Sequence, residues 1–123
     1  MKLDGFDHLF LETRDYDSMV RFWSGLGFAI IEQWGSKADG HQGCVLRSGD
    51  STVVIGTVGP SEKPQGPSIH FSVKSVDQLA EALKGHRDVQ VVTPPEDTHW
   101  QTRWLQVKDP EGNVYAIESG RKG

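Results

Sequence analysis

Hydrophobic and polar positions repeat with two different periods along the chain, and the period changes at residues that start or stop helices. Phe6 to Thr13 (FDHLFLET) alternates, with Phe6, His8, Phe10 and Glu12 on one face and Asp7, Leu9, Leu11 and Thr13 on the other, which predicts a strand. Asp15 is a candidate N-cap. Behind it Met19, Val20, Phe22, Trp23 and Leu26 recur at helical spacing until Gly27 stops the run. Phe28 to Trp34 reads as a second strand and Gly35 to Gly40 as a loop. Gly43 to Arg47 and Thr52 to Ile55 read as short strands about the turn Ser48-Gly49-Asp50.

The order then starts again. Val58 to Pro67 carries three prolines and two glycines and reads as a linker. Ser68 to Val73 alternates as a strand. Ser75 with Gln78 three residues on has the spacing of a capping box, and Val76, Leu79, Ala80 and Leu83 line one helical face before Gly85. Val89 to Val92, Arg103 to Val107 and Val114 to Glu118 complete the strands, with Asp109-Pro110-Glu111-Gly112-Asn113 turning the last hairpin. At an offset of 60, Arg14-Asp15-Tyr16-Asp17 falls on Lys74-Ser75-Val76-Asp77, and Met19, Val20 and Trp23 fall on Leu79, Ala80 and Leu83. An internal repeat of this length marks a paired supersecondary unit, since ~60 residues bury little alone. The expectation is α+β: one domain over residues 1–123 made of two paired βαβββ modules, about 5–57 and 68–119, with a linker at 58–67. Their curved mixed sheets would surround a concave cup.

Composition narrows the function. The 123 residues carry 17 acids and 13 bases, a net charge of −4, so there is no basic field for nucleic acid. Counting the 14 glycines with the apolar residues gives an ordinary globular share. No apolar run reaches the ~18 residues of a membrane span, and the opening MKLDGFDH lacks the apolar core of a secretory signal. Cys44 stands alone, which excludes an internal disulfide and makes a reducing cytoplasm the expected compartment. A small organic molecule or another protein is the expected partner.

The first-strand His followed by Asp at the helix cap, FWSGLGF closing that helix, the passage HFSVKSVDQL and the closing KDPEGNVYAIE together resemble the glyoxalase, bleomycin-resistance and extradiol-dioxygenase (vicinal oxygen chelate) superfamily, over Phe6 to Ser119. The resemblance implies a cup formed by concave sheet faces, and pairing into homodimers. It also implies, in metal-dependent members, an ion held by His on the first strand, a residue on the fourth, His on the fifth and Glu on the eighth. His8, His70 and Glu118 are the candidates here, a set suited to Mn, Fe, Ni or Zn. By the family's spacing the fifth- and eighth-strand positions fall on Ser68 and Ala116, two residues before His70 and Glu118. Such a slip moves each side chain ~6.6 Å along its strand. His70 and Glu118 would then make only a displaced site together, and register favours a cup without a metal.

The candidate ligand-binding residues are Phe6, His8, Phe10, Trp34, His70, Trp100, Arg103 and Trp104. His8 is either a cavity histidine or a group that binds or protonates a ligand near its ordinary pKa of ~6.5. Trp104 is either core or interface, or it faces the cup with Gln106 while Leu105 and Val107 face the helix. Arg103 has the fork to take a carboxylate or phosphate. Glu118 reads as a solvated strand end beside Arg121 and Lys122, Trp23 as core, and Cys44 as a small buried hydrophobe. Three functions follow: a binder of planar or drug-like molecules without a metal; a divalent-metal enzyme (lyase, isomerase, thiol transferase or dioxygenase) using His8, His70 and Glu118; or an accessory domain with a vestigial cup. Ring cleavage is the weakest of these chemistries, because Trp104-Leu105-Gln106 stands where the resemblance calls for a tyrosine.

Overall fold

Both helices begin where a short polar side chain closes the first turn. Asp15 accepts hydrogen bonds from the backbone N–H of Ser18 at 3.1 Å and from its hydroxyl at 2.8 Å. Ser75 Oγ accepts from Gln78 N–H at 3.2 Å. The two caps stand sixty residues apart, as the repeat requires. The structure, a computed structural model, describes residues 2–108 and 110–120, so Asp109 of the expected hairpin turn lies outside the described residues. The order is β1 (Gly5–Thr13), α1 (Tyr16–Gly25), β2 (Ala29–Ser36), β3 (His41–Ser48), β4 (Ser51–Thr57), β5 (Ser68–Ser72), α2 (Val76–Leu83), β6 (Gln90–Asp97), β7 (Arg103–Lys108) and β8 (Val114–Ser119). This is the α+β, twice-repeated βαβββ arrangement. His8–Ser68 forms one compact unit; the chain up to Asp7 and from Ile69 onward forms the other. None of the helices is long and apolar enough to cross a membrane.

In the His8–Ser68 unit the strand order is β2-β3-β4-β1, with β1 parallel to β4 from Leu9↔Val53 to Thr13↔Thr57 and the other pairs antiparallel. Leu11, Cys44, Leu46, Val53 and Ile55 form its core, and Tyr16, Met19, Val20, Trp23 and Phe28 pack against them. Cys44 has no exposed surface, and burial pushes its thiol up, the behaviour of a packed hydrophobe. On the sheet face turned away from that core, the Trp34 ring lies over Gly43. A Cβ there would come within 2.1 Å of the ring and 2.6 Å of the Ile55 carbonyl, so only glycine fits.

In the other unit the order is β5-β8-β7-β6, with β5 parallel to β8 and the remaining pairs antiparallel. Val73, Val76, Leu79, Leu105 and Ile117 form its core, with Phe71, Ala80, Leu83 and Val107 against them. Leu46, Ile55 and Leu105, one or two to each unit and all fully buried, contribute about 1.5–3 kcal/mol apiece. Leu105 and Val107 thus face the helix, which leaves Trp104 and Gln106 on the opposite face.

Two expectations are corrected. β6 does not stop at Val92 but runs on to Asp97 through Pro94 and Pro95. Proline is tolerated because β6 is an edge strand, and its register to β7 breaks at Val91/Thr93 and again at Thr93/Glu96. Phe6 does not join the face of His70. It stacks on Phe71, a residue of the α2-side core, at 5.0 Å between ring centroids and stays 76% exposed.

Candidate metal centre

Parallel pairing of β5 with β8 sets His70 beside Ala116 and Ser72 beside Glu118. Side chains two residues apart share a face, so His70 and Glu118 meet diagonally across the two strands. His70 Nδ1 is hydrogen-bonded to Glu118 Oε2, and both residues are only 6% exposed. The other carboxylate oxygen, Oε1, accepts from Trp100 Nε1 at 2.9 Å and from Thr102 Oγ1 at 2.8 Å. Burial alone would raise the Glu118 pKa, but the hydrogen bonds from His70, Trp100 and Thr102 outweigh it and hold the carboxyl below its ordinary value. A buried carboxylate is thus kept ionised and oriented.

Aromatic rings wall this pair. Trp104 stacks against the His70 ring at 6.2 Å between centroids and 27° between planes. Trp100 meets Trp104 edge-on at 5.2 Å, and His99 meets Trp100 edge-on at 4.8 Å. Trp104 Nε1 donates to Glu96 Oε1 at 2.9 Å, which fixes the indole's tilt. An imidazole and a carboxylate are suitable donors for a divalent transition ion, and ligating carboxylates are typically anchored by further hydrogen bonds, as Glu118 is on Oε1.

The candidates from the sequence separate accordingly. His70, Trp100, Trp104 and Glu118 come together. Arg103 does not join them: its Nε donates to both carboxylate oxygens of Asp77 at 3.1 Å, and its Nη1 donates to Asp97 at 3.0 Å, so its fork is taken by this chain's own acids. Glu118 is not a solvated strand end, because the β5–β8 pairing and the Trp100 ring cover it; Arg121 and Lys122 lie outside the described residues. His8, Phe10 and Trp34 belong to the other unit, where His8 is half-buried on β1 and the Phe10 ring lies over Gly56. Thr102, Thr98 and Glu96 were not foreseen. Strand alternation counted back from Trp104 would have placed Thr102 on the same face.

The sequence matches the family model of the Glyoxalase/Bleomycin resistance protein/Dioxygenase superfamily over residues 5–117. No curated protein matches it. Among solved structures, a hypothetical protein from Bacillus halodurans C-125 superposes with a TM-score of 0.74 at 18% identity, covering 99% of this chain and 96% of that one. A methylmalonyl-CoA epimerase from Mycobacterium tuberculosis gives 0.70 at 15% identity over 95% and 88% of the two chains. A variant of the Streptomyces coelicolor methylmalonyl-CoA epimerase, solved in complex with 2-nitronate-propionyl-CoA, gives 0.69 at 17% over 98% and 97%. At such identities these structures share the fold. With the family match spanning nearly all of the sequence, the chain belongs to the Glyoxalase/Bleomycin resistance protein/Dioxygenase superfamily.

Proposed function

We propose that the protein is a divalent-metal enzyme acting on a small organic molecule that presents oxygen donors, with His70 and Glu118 as protein ligands. The observation that carries the reading is the buried His70–Glu118 pair, whose carboxylate is ionised and fixed on its far oxygen. The displacement from the family's spacing is shared by His70 and Glu118, so the pair keeps its mutual geometry while sitting one pleat repeat further along. A bound divalent ion supplies Lewis acidity, polarising a carbonyl or lowering the pKa of a bound ligand. Around it Trp104 and Trp100 offer a flat apolar wall to the organic part of a substrate, and Trp100 and Thr102 hold Glu118 in place. Structurally similar epimerases are solved in complex with methylmalonyl-CoA and with 2-nitronate-propionyl-CoA, which makes acyl-CoA compounds a first substrate panel.

The test is elemental analysis of the purified full chain, before and after loading with Mn, Fe, Ni or Zn. One equivalent in the wild type, lost in His70→Ala and in Glu118→Ala, is the expected result. No retained ion under any loading overturns the reading. A second reading, a binder of planar molecules without a metal, is favoured by the edge-on Trp100–Trp104 corner with its 38% exposed Trp100. It predicts tryptophan quenching by planar compounds in chelator-treated protein, abolished in Trp104→Ala.

A further inference from the structure

The connection between β6 and β7 has more internal structure than a surface loop needs. Thr98 N–H donates to the Thr102 carbonyl at 2.9 Å, Thr102 N–H donates to Thr98 Oγ1 at 3.0 Å, and the two hydroxyls lie 2.8 Å apart. Between them Gln101 takes φ = 71°, the one positive φ at a non-glycine residue among the described residues. A glutamine in the left-handed region is strained, and such strain persists where the surroundings over-determine it. Its two neighbours in sequence, Trp100 and Thr102, both end on one atom, Glu118 Oε1.

The donor inventory settles how these protons point. An indole N–H can only donate, so Glu118 Oε1 is the acceptor for Trp100, as it is for the Thr102 hydroxyl. Thr102 Oγ1 has a single proton, committed to Glu118 Oε1, so the Thr98 hydroxyl must direct its own toward Thr102, to Oγ1 or to the carbonyl at 3.1 Å. Oε1 therefore carries two donors and has no reason to take a proton or an ion. Oε2 is left as the single oxygen facing His70.

We propose that Thr98–Thr102 is a clamp that makes Glu118 a one-oxygen metal ligand, with Thr102 and Trp100 as positioning residues. This rests on the metal-centre reading above and adds what sets the ligand's geometry. By capping Oε1 the clamp keeps the carboxylate from swinging or binding an ion through both oxygens, and it fixes the direction from which Oε2 approaches. Loss of an outer hydrogen bond to a ligating group typically weakens metal binding 10- to 100-fold.

The experiment is Co(II) titration of the chelator-treated full chain, followed by the visible absorption of the bound ion, for the wild type, Thr102→Val, Thr102→Ser and Trp100→Phe. Thr102→Val keeps the side-chain shape and removes the hydroxyl. It is expected to weaken Co(II) binding by 10- to 100-fold and to shift the absorption band, since freeing Oε1 lets both oxygens bind. Thr102→Ser restores the hydroxyl and is expected to restore both affinity and band. Trp100→Phe, which leaves the core untouched, is expected to fall between them. If the wild type binds Co(II) and Thr102→Val matches it in affinity and spectrum, the clamp is overturned and the metal centre stands. If Thr102→Ser is as weak as Thr102→Val, bulk rather than the hydroxyl is responsible and the clamp is again overturned. Failure of the wild type to bind Co(II) or Mn(II) overturns the metal centre, and the clamp falls with it.

Discussion

The two βαβββ modules place different chemistry on equivalent backbone. In the first, the parallel β1–β4 register sets Phe10 beside Val54 and Glu12 beside Gly56; in the second, β5–β8 sets His70 beside Ala116 and Ser72 beside Glu118. Phe10 thus corresponds to His70, and Gly56 to Glu118. The next strand continues the correspondence, with Gly43 opposite Gly56 and Trp104 opposite Glu118. Beyond it Trp34 faces Gly43 while Glu96 faces Trp104. The first module fills this row with two glycines lying under the Phe10 and Trp34 rings. The second fills it with the carboxylates of Glu118 and Glu96 on either side of the Trp104 indole, Trp104 donating to Glu96 while Glu118 is hydrogen-bonded to His70 and Trp100. The fold thus needs only the inner rows of Leu, Ile and Val; the opposite face is free to be apolar in one copy and a buried polar site in the other.

Making the second module imitate the first breaks the comparison most severely. In metal-free protein, His70→Phe alone takes the imidazole away from the buried Glu118 Oε2 and is expected to cost about 3–5 kcal/mol by urea denaturation. Adding Glu118→Ala is expected to recover most of that loss, because an apolar pair at these positions is what the first module already tolerates. A double variant no more stable than the single one would show that the two rows are not equivalent. Next in size, Gly43→Ala forces the Trp34 ring aside and is expected to cost about 1–3 kcal/mol, with a red shift of tryptophan emission as the ring is exposed.

Acid separates the modules without mutation. The folded-state pKa of Glu118 lies below its ordinary value of 4.5, so its contribution to stability is fully present above that pH and is lost as pH falls through the lower, folded-state value. Metal-free wild type is expected to lose stability more steeply below pH 4.5 than Glu118→Gln, measured by thermal melts across pH. Parallel curves would show that the carboxylate is not held ionised. Smallest of all, Ser75→Ala removes the α2 cap and is expected to cost about 1 kcal/mol in melts, with no change in metal binding.

The modules, their helix caps at Asp15 and Ser75 and the inward facing of Leu105 and Val107 could be read from residue spacing, because each depends on near neighbours in sequence. The site depends on contacts between distant strands. The offset between modules is 60 at the first strand and 62 at the last, so simple counting does not pair His70 with Glu118, and burial of Glu118 by β5 is invisible from β8 alone. The same holds for Arg103, whose carboxylate partners lie on α2 and β6, and for Phe6, which leaves the expected face to stack on Phe71. Prolines 94 and 95 hid the length of β6 because edge position, which excuses them, is a property of the sheet.

Isothermal titration of chelator-treated protein with Mn(II), comparing the wild type with His70→Phe/Glu118→Ala, tests the central claim most directly. One ion per chain in the wild type and none in the double variant, which still melts cooperatively, is the predicted result. Equal binding by both proteins would contradict it and place any metal elsewhere than on the second module's polar row.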